Sequence, residues 1–241
     1  MDLLGLDYAI RLPLRMEESL GCPRCHTRLA GSLRCDRCDF EMAWCEGVLV
    51  CRPGGSRDQS KRAVRSAGDG AWSRFLPAQA RLLLDYTCGS FGASEWVAGH
   101  PGVEVVSLFA DRADVAAPDR HPSPAVTVVS GWGEIPFSDR SVDAVLAHDV
   151  DLELTEWEAS AFYREAWRVL RPGGWLVARN RPAGKLRSLD AFRGRLEREG
   201  LRFLGGEVEC SFAAGRWLNL LPARAVEWGL GRQFTVVTAR Y

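Results

Sequence analysis

The feature that most constrains the fold of this chain is the stretch 82–92, LLLDYTCGSFG. Three leucines are followed by the acid Asp85, a turn of small residues and a helix-like segment from about Ser90. An apolar run of this kind is typical of a buried parallel strand that leads into a ligand-binding loop. We therefore predict a cofactor site at this turn. Thr87 and Phe91 stand where a nucleotide-binding turn prefers glycine, so the segment alone does not identify the ligand.

Strand and helix patterns alternate after Trp72. Strands are predicted at 81–85, 103–110, 125–130, 142–147, 175–180, 201–210 and 234–241. The clearest helix is predicted at 156–170, where Thr155 and Glu158 form a capping box and Trp157 and Phe162 are apolar positions. Alternation of this kind predicts an α/β fold with a mainly parallel sheet and helices on both of its faces.

Four of the eight cysteines form two C-x-x-C pairs near the N-terminus. Two such pairs, a short hairpin apart, place four thiolates at the corners of a tetrahedron, which is the ligand arrangement of structural zinc. In a chain of this length the pattern favours a metal site in a reducing compartment over a disulfide framework. The alternative is a set of thiols without metal. The predicted zinc ligands are Cys22, Cys25, Cys35 and Cys38.

Composition divides the 241 residues into three parts. Residues 1–53 form an N-terminal arm and the cysteine pairs, and residues 71–241 carry the alternating pattern. Residues 54–70 between them are rich in Arg, Lys, Ser, Gly and Asp, which is typical of a linker. Basic residues outnumber acids there. We favour a solvated tether over a contact for an anionic partner.

Charge and hydropathy exclude some classes of protein. Lys and Arg together number 31, as do Asp and Glu, and the formal net charge of zero argues against a main role in electrostatic binding of nucleic acid. No apolar run approaches the ~20 residues of a membrane span, and the N-terminus lacks a signal-peptide pattern. We expect a soluble, cytoplasmic protein without membrane contact. The sequence does not give its oligomeric state.

Three segments together resemble the class I S-adenosylmethionine-dependent methyltransferases. They are 84–89 (LDYTCG), 141–146 (SVDAVL) and 164–177, in which RVLRPGG at 168–174 is the most specific part. The resemblance covers residues 72–241. It implies a Rossmann-like sheet of seven strands whose last strand runs antiparallel. The front end, from Cys22 to about Pro53, looks like the zinc ribbon that some of these enzymes carry, among them ribosomal RNA guanine methyltransferases.

The resemblance also implies where S-adenosylmethionine would bind. The turn after the first strand would hold the methionine part of the cofactor. In this sequence the residues of that turn are Asp85, Thr87, Gly89 and Phe91. Asp85 is the strongest candidate of these, because an acid that ends an apolar strand at the crevice suits a cofactor contact better than a bare strand cap.

The chain departs from the family pattern at the two acids expected downstream. Phe109 stands where an acid would bind the ribose, and Asp111 follows two residues later, about 6.6 Å further along a strand. Gly131 stands where an acid would bind adenine, with Trp132 and Glu134 nearby. Phe109 and Trp132 either stack on the adenine or fill the core.

Methyl transfer is an in-line displacement in which placement of the reactants does most of the work and a base is optional. His148 and Asp149, just past the fourth strand, are our candidates for a base or for orientation of the substrate. A structural histidine is the alternative. The nearby acids Asp151, Glu153 and Glu156 either form a solvated face or receive a cationic substrate.

Three functional hypotheses follow. The first is a methyltransferase that acts on a small molecule, which we favour. The second is a methyltransferase fold that no longer methylates and instead binds a ligand, serves as a partner subunit or catalyses another reaction. The third is an RNA methyltransferase, which a neutral chain makes less favourable because phosphate contacts dominate affinity for nucleic acid.

Overall fold

A computed structural model describes residues 12–29, 32–45, 48–51, 76, 78–86, 102–109, 126–131, 133–180, 188–210 and 232–240. The strands are β1 (Ala43–Cys45), β2 (Val48–Val50), β3 (Leu82–Tyr86), β4 (Glu104–Phe109), β5 (Val126–Val129), β6 (Val142–His148), β7 (Leu170–Asn180), β8 (Arg202–Cys210) and β9 (Arg232–Ala239). The helices are α1 (Leu14–Ser19), α2 (Val150–Glu153), α3 (Glu156–Val169) and α4 (Leu189–Arg198).

In the described part of the chain, nine strands form one sheet in the order β1-β2-β5-β4-β3-β6-β7-β9-β8. Strands β5, β4, β3, β6 and β7 are mutually parallel, and β9 runs antiparallel to both β7 and β8. The predicted α/β class, the parallel sheet and the antiparallel last strand are therefore confirmed.

The hairpin of β1 and β2 lengthens the sheet beyond the seven predicted strands. Strand β2 pairs in parallel with β5, with Val50 opposite Val129. This pairing covers an edge of the seven-stranded sheet, whose N–H and C=O groups would otherwise lack strand partners. The division into 1–53, 54–70 and 71–241 stays a prediction, and residues 54–70 lie outside the described residues.

Strand β7 begins at Leu170, five residues before the predicted start. Leu170 pairs with Val142, and the register then shifts before Trp175 pairs with Ala144. The RPGG segment that ends the helix therefore already runs along β6. Proline and glycine suggest a turn in the sequence, whereas the neighbouring strand lets this segment continue as irregular strand.

Helix α3 begins as the sequence predicts. The Thr155 hydroxyl accepts a hydrogen bond from the Glu158 amide at 3.3 Å, and the Glu158 carboxylate accepts one from the Thr155 amide at 3.0 Å. Phe162 is fully buried, but Trp157 is 74% exposed. Trp157 therefore does not share the buried face of Phe162, because the five positions from Trp157 to Phe162 correspond to a rotation of about 140° around a helix with 3.6 residues per turn.

Two clusters of buried side chains pack on opposite faces of the sheet. One cluster joins Leu84 and Tyr86 to α3 and also includes Leu20 and Leu49 of the N-terminal segment. The other contains Leu83, Ala144, Leu146 and Val177. Alternate residues of one strand enter different clusters, as expected for a sheet covered on both faces.

The Arg168 side chain connects α3 to the chain between β5 and β6. Its guanidinium donates to both carboxylate oxygens of Glu165 at 2.8 Å and to the carbonyls of Phe137 at 2.7 Å and Ile135 at 2.9 Å. The Glu165 carboxylate in turn accepts from the Ile135 amide at 3.1 Å. The first residue of the RVLRPGG segment therefore fixes a loop that is distant in sequence.

We expect Arg168→Lys to lower the free energy of unfolding by about 2–4 kcal/mol, because an ammonium lacks the planar fork and cannot reach the two buried carbonyls and both oxygens of Glu165 at once. Urea denaturation followed by circular dichroism measures the change. Arg164→Lys on the same helix is the matched control. Arg164 is 60% exposed and makes an ion pair with Glu199 at 3.9 Å, so this change should stay within about 0.5 kcal/mol. Equal losses in the two variants would refute the role of Arg168.

Candidate functional site

The candidate site lies at the carboxyl ends of the parallel strands. Strands β4 and β5 lie on one side of β3, and β6 and β7 lie on the other, so the strand order changes direction between β3 and β6. In sheets of this type the ligand crevice opens outside the carboxyl ends of the strands at this point. Asp85, Phe109 and His148 lie at the ends of β3, β4 and β6.

Asp85 is 5% exposed and lies one residue before the end of β3. It stands in register with Ser107 of β4 and Leu146 of β6. By strand alternation these residues belong to the face that carries Leu83, opposite α3. A carboxylate at this edge of the sheet has the chemistry to accept hydrogen bonds from a cationic group of a ligand.

His148 and Asp149 are brought together at the end of β6. The Nε2 atom of His148 lies 3.8 Å from an Asp149 carboxylate oxygen, which is an ion-pair distance when the imidazole is protonated. Asp149 has φ 54° and donates its amide to the Arg179 carbonyl at 2.7 Å. Arg179, which the sequence did not suggest, is 8% exposed and stands in register with His148. The structure thus joins this pair at the ligand edge, and its catalytic role stays a prediction.

The residues predicted to border the adenine lie in the chain after β5. The Ser130 amide donates to the Phe109 carbonyl at 2.8 Å, and the Glu134 amide donates to the Gly131 carbonyl at 3.1 Å. The Tyr86 hydroxyl, at the end of β3, lies 3.4 Å from the same Gly131 carbonyl. The start of this loop therefore contacts the end of β3. Phe109 is 1% exposed, whereas Glu134 is exposed.

Four predicted cofactor residues and the Phe91 position lie outside the described residues. They are Thr87, Gly89, Asp111, Trp132 and Phe91.

The four predicted zinc ligands form a compact group. All four sulfur atoms lie within 4.8 Å of one another; Cys22 and Cys38 are 3.4 Å apart, and Cys25 and Cys35 are 3.5 Å apart. A zinc ion with four sulfurs at about 2.3 Å requires sulfur separations of about 3.8 Å. The donor set and its spacing therefore fit a tetrahedral zinc ion.

The two cysteine pairs share one backbone geometry. The Cys22 backbone carbonyl accepts a hydrogen bond from the His26 amide at 2.8 Å, and the Cys35 backbone carbonyl accepts one from the Asp39 amide at 2.9 Å. His26 and Asp39 both have a left-handed backbone conformation, with φ 59° and 55°. Two equivalent turns, each presenting two thiols to one point, are expected of a metal-binding pair rather than of cysteines that meet by chance.

The thiols of the cluster differ in acidity. Hydrogen bonds with Thr27 lower the pKa of Cys25 to about 6, and burial raises the pKa of Cys22 to about 12. A bound metal ion replaces the thiol protons and so removes this difference.

Residues 84–178 match a family model described as a methyltransferase domain. The chain has the fold of a class I methyltransferase. Solved structures share the fold at low identity. A Bacillus halodurans C-125 protein, provisionally described as a methyltransferase, has a TM-score of 0.54 and 15% identity, with 71% of this chain and 98% of that chain covered.

Two further structures resemble the methyltransferase domain. An S-adenosylmethionine-dependent methyltransferase from Mesorhizobium loti has a TM-score of 0.53 and 15% identity, and the match covers 70% of this chain and 96% of that chain. The [4+2]-cyclase SpnF has a TM-score of 0.51 and 18% identity, and the match covers 75% of this chain and 84% of that chain. Identities this low establish the fold alone. A sequence search of curated proteins finds no match to this chain.

The methyltransferase domain also contains a buried polar cluster that the sequence did not predict. The Asp151 carboxylate accepts from the Tyr163 hydroxyl at 2.5 Å and from the Asn180 amide at 3.1 Å, and Arg195 lies 3.7 Å from its other oxygen. Burial raises the pKa of Asp151, and burial and the Asp151 carboxylate raise that of Tyr163. With a side chain only 8% exposed, Asp151 is not part of a solvated acidic face. Its partners come from three other elements, so sequence spacing gives no signal for the cluster.

Among the described helices of the methyltransferase domain and the segment before it, none has the length and apolar character needed to cross a membrane.

We expect metal analysis of the purified chain to find about one zinc ion per chain. Cys35→Ser removes one of the four ligands, so the variant should lose zinc and unfold at a lower temperature. Cys51→Ala is the matched control, since Cys51 is equally buried but lies outside the cluster, where its thiol contacts the Met42 sulfur at 3.2 Å. Absence of zinc from protein prepared without chelator would contradict the assignment, as would full zinc retention by Cys35→Ser.

Proposed function

We propose that this protein is an S-adenosylmethionine-dependent methyltransferase that acts on a small molecule. The observation that carries the proposal is the buried carboxylate of Asp85 at the carboxyl end of β3, where the strand order of a methyltransferase domain changes direction. The bound cofactor would supply a methyl group on a sulfonium centre. The chain would then serve mainly to place the acceptor in line with that group.

The described residues would contact this cofactor at its two ends. Asp85 would offer a carboxylate to the methionine ammonium, and the loop that begins at Gly131 would border the adenine, with Glu134 as an acceptor. Phe109 lies where the family has a ribose-binding acid, and it offers an apolar ring instead. The other cofactor-binding residues that we propose from the sequence are Thr87, Gly89, Asp111 and Trp132. His148 and Asp149 would orient the acceptor or take its proton.

Charge at the edge supports a small-molecule acceptor over RNA. Asp149 follows β6 directly, where an acceptor would approach His148. A carboxylate in this position would repel phosphate groups, and the chain has no net charge to offset it. A neutral or cationic acceptor is compatible with these groups. Cysteines suited to zinc further support a cytoplasmic location for such an enzyme.

One observation favours a second candidate function, a methyltransferase fold that no longer transfers methyl groups. The buried Phe109 ends β4 where an acid would hold the ribose. Loss of a hydrogen bond to a charged group costs about 1.5–3 kcal/mol, enough to weaken the cofactor site by tenfold or more. One solved structure with this fold is a [4+2]-cyclase, which supports a reaction other than methyl transfer for a protein of this fold.

We expect calorimetry to detect binding of S-adenosylhomocysteine to the wild-type chain and a loss of about tenfold or more in affinity for Asp85→Asn, because the amide no longer carries the charge that attracts the ammonium. Asp190→Asn, at an exposed position in the first turn of α4, is the matched control and should bind like wild type. No detectable binding of either S-adenosylmethionine or S-adenosylhomocysteine at millimolar concentration would exclude the methyltransferase proposal and favour the second candidate.

Transfer of labelled methyl groups distinguishes a small-molecule acceptor from an RNA acceptor. We expect label from S-adenosylmethionine to enter the low-molecular-weight fraction of a cell extract rather than bulk RNA. A filter assay with bulk RNA is the companion measurement, in which binding should be weak and should fall steeply with salt. Label in RNA would overturn the small-molecule assignment while leaving the methyltransferase proposal intact.

A further inference from the structure

The N-terminal segment that carries the four cysteines holds the loop between β5 and β6 (residues 130–141) from both ends. We call residues 12–51 the metal module. At the first end, Val50 of the module pairs with Val129, immediately before the loop begins. Cys51 follows this pairing, and burial and the nearby Glu134 carboxylate raise its pKa. The module is therefore attached to the chain at the start of this loop.

At the second end, the module makes direct backbone contacts with the loop. The Ser138 amide donates to the Ser19 carbonyl at 2.8 Å, and the Gly21 amide donates to the Pro136 carbonyl at 3.1 Å. A Cβ atom at Gly21 would lie 2.5 Å from the Ser138 nitrogen and 2.7 Å from the Phe137 carbonyl carbon. This approach of two backbones is possible because residue 21 is glycine.

This contact is continuous with the metal cluster. Gly21 immediately precedes Cys22 and forms a β-bridge with Arg28, and the Cys22 amide donates to the Thr27 carbonyl at 2.9 Å. The segment that contacts the loop is thus one side of the first cysteine turn. A metal ion that fixes this turn also fixes the position of Gly21, because one peptide unit separates Gly21 from a ligand.

The loop in turn contacts the proposed cofactor edge. The Tyr86 hydroxyl meets the Gly131 carbonyl at 3.4 Å, and Tyr86 directly follows Asp85. Helix α3 holds the carbonyls of Ile135 and Phe137 through Arg168. Between these fixed points, the placement of Gly131, Gly133 and Glu134 depends on the module at both ends of the loop.

We propose that metal binding by the four cysteines positions the β5–β6 loop at the cofactor edge, so that metal occupancy sets the affinity for the cofactor. This proposal rests on the proposed function. The coupling is reciprocal, since a metal that raises cofactor affinity by some factor must itself be bound more tightly by that factor when cofactor is present. Coupling between sites is typically 5- to 150-fold, and we expect about tenfold here.

The first test compares zinc-loaded and zinc-free chain. Calorimetry with S-adenosylhomocysteine should give a dissociation constant about tenfold larger for the zinc-free chain, with circular dichroism to verify that it is folded. Zinc transfer to a chromogenic chelator should be slower when S-adenosylhomocysteine is present. If the zinc-loaded chain does not bind S-adenosylhomocysteine, the proposed function fails. If zinc-loaded and folded zinc-free chains bind it equally, the coupling fails while the proposed function stands.

The second test keeps the metal bound and disturbs the contact between Gly21 and the β5–β6 loop. It tests the coupling even if the zinc-free chain unfolds. In Gly21→Ala at saturating zinc, S-adenosylhomocysteine should bind about tenfold more weakly and amide hydrogen exchange of residues 130–141 should be faster. Gly205→Ala is the matched control, because a Cβ there meets no atom within 4 Å. Unchanged affinity in zinc-saturated Gly21→Ala would overturn the proposal.

A third variant separates positioning from general loss of stability. Leu196→Ala removes a fully buried side chain of α4, which packs near β8 and β9 at the opposite end of the sheet. It should lower the unfolding temperature at least as much as Gly21→Ala and leave the affinity for S-adenosylhomocysteine unchanged. An equal loss of affinity in Leu196→Ala would mean that stability alone is responsible and would also overturn the coupling.

Discussion

The fork of hydrogen bonds around Arg168 is the interaction on which the rest of the structure depends. It ties α3 to the loop between β5 and β6. The buried charge of Arg168 is balanced by the Glu165 carboxylate, which also accepts a hydrogen bond from the Ile135 amide. The end of the same helix is held by Arg240, whose guanidinium donates to the carbonyls of Trp167, Arg168 and Leu170. Carbonyls at a helix terminus lack partners within the helix, so a guanidinium there both caps α3 and attaches the last strand.

This arrangement explains how one edge of the sheet becomes a site. The parallel strands bring Asp85 and His148 to neighbouring carboxyl ends, although 62 residues separate them along the chain. The loop after β5 closes one side of this edge, held by α3 from one direction and by the metal module from the other. A segment with little secondary structure is thereby fixed by two independent sets of polar contacts. Rigid support of this kind is what an accurately placed binding site needs.

Several elements followed from local sequence because their causes are local. The capping box at Thr155, the leucine run before Asp85 and the spacing of the four cysteines each depend on residues a few positions apart, and the structure contains all three features. Local patterns failed where distant residues decide. The sequence left Asp151 between a solvated face and a substrate contact, because its partners Tyr163, Asn180 and Arg195 come from other elements. It gave Trp157 as an apolar position of α3 without showing that its side chain faces away from the core.

The sequence by itself determined the α/β class, the antiparallel last strand by resemblance, and the four thiols that meet at one point. The tertiary structure alone decided that the cysteine-bearing segment joins the sheet through β2 and contacts the loop through Gly21. Pairing between β2 and β5 spans about 80 residues of chain, and no short-range pattern records which strand edge remains open. The physical reason is that periodicity and spacing encode which face of an element is buried, whereas the partner of that face is set by how all the elements pack together.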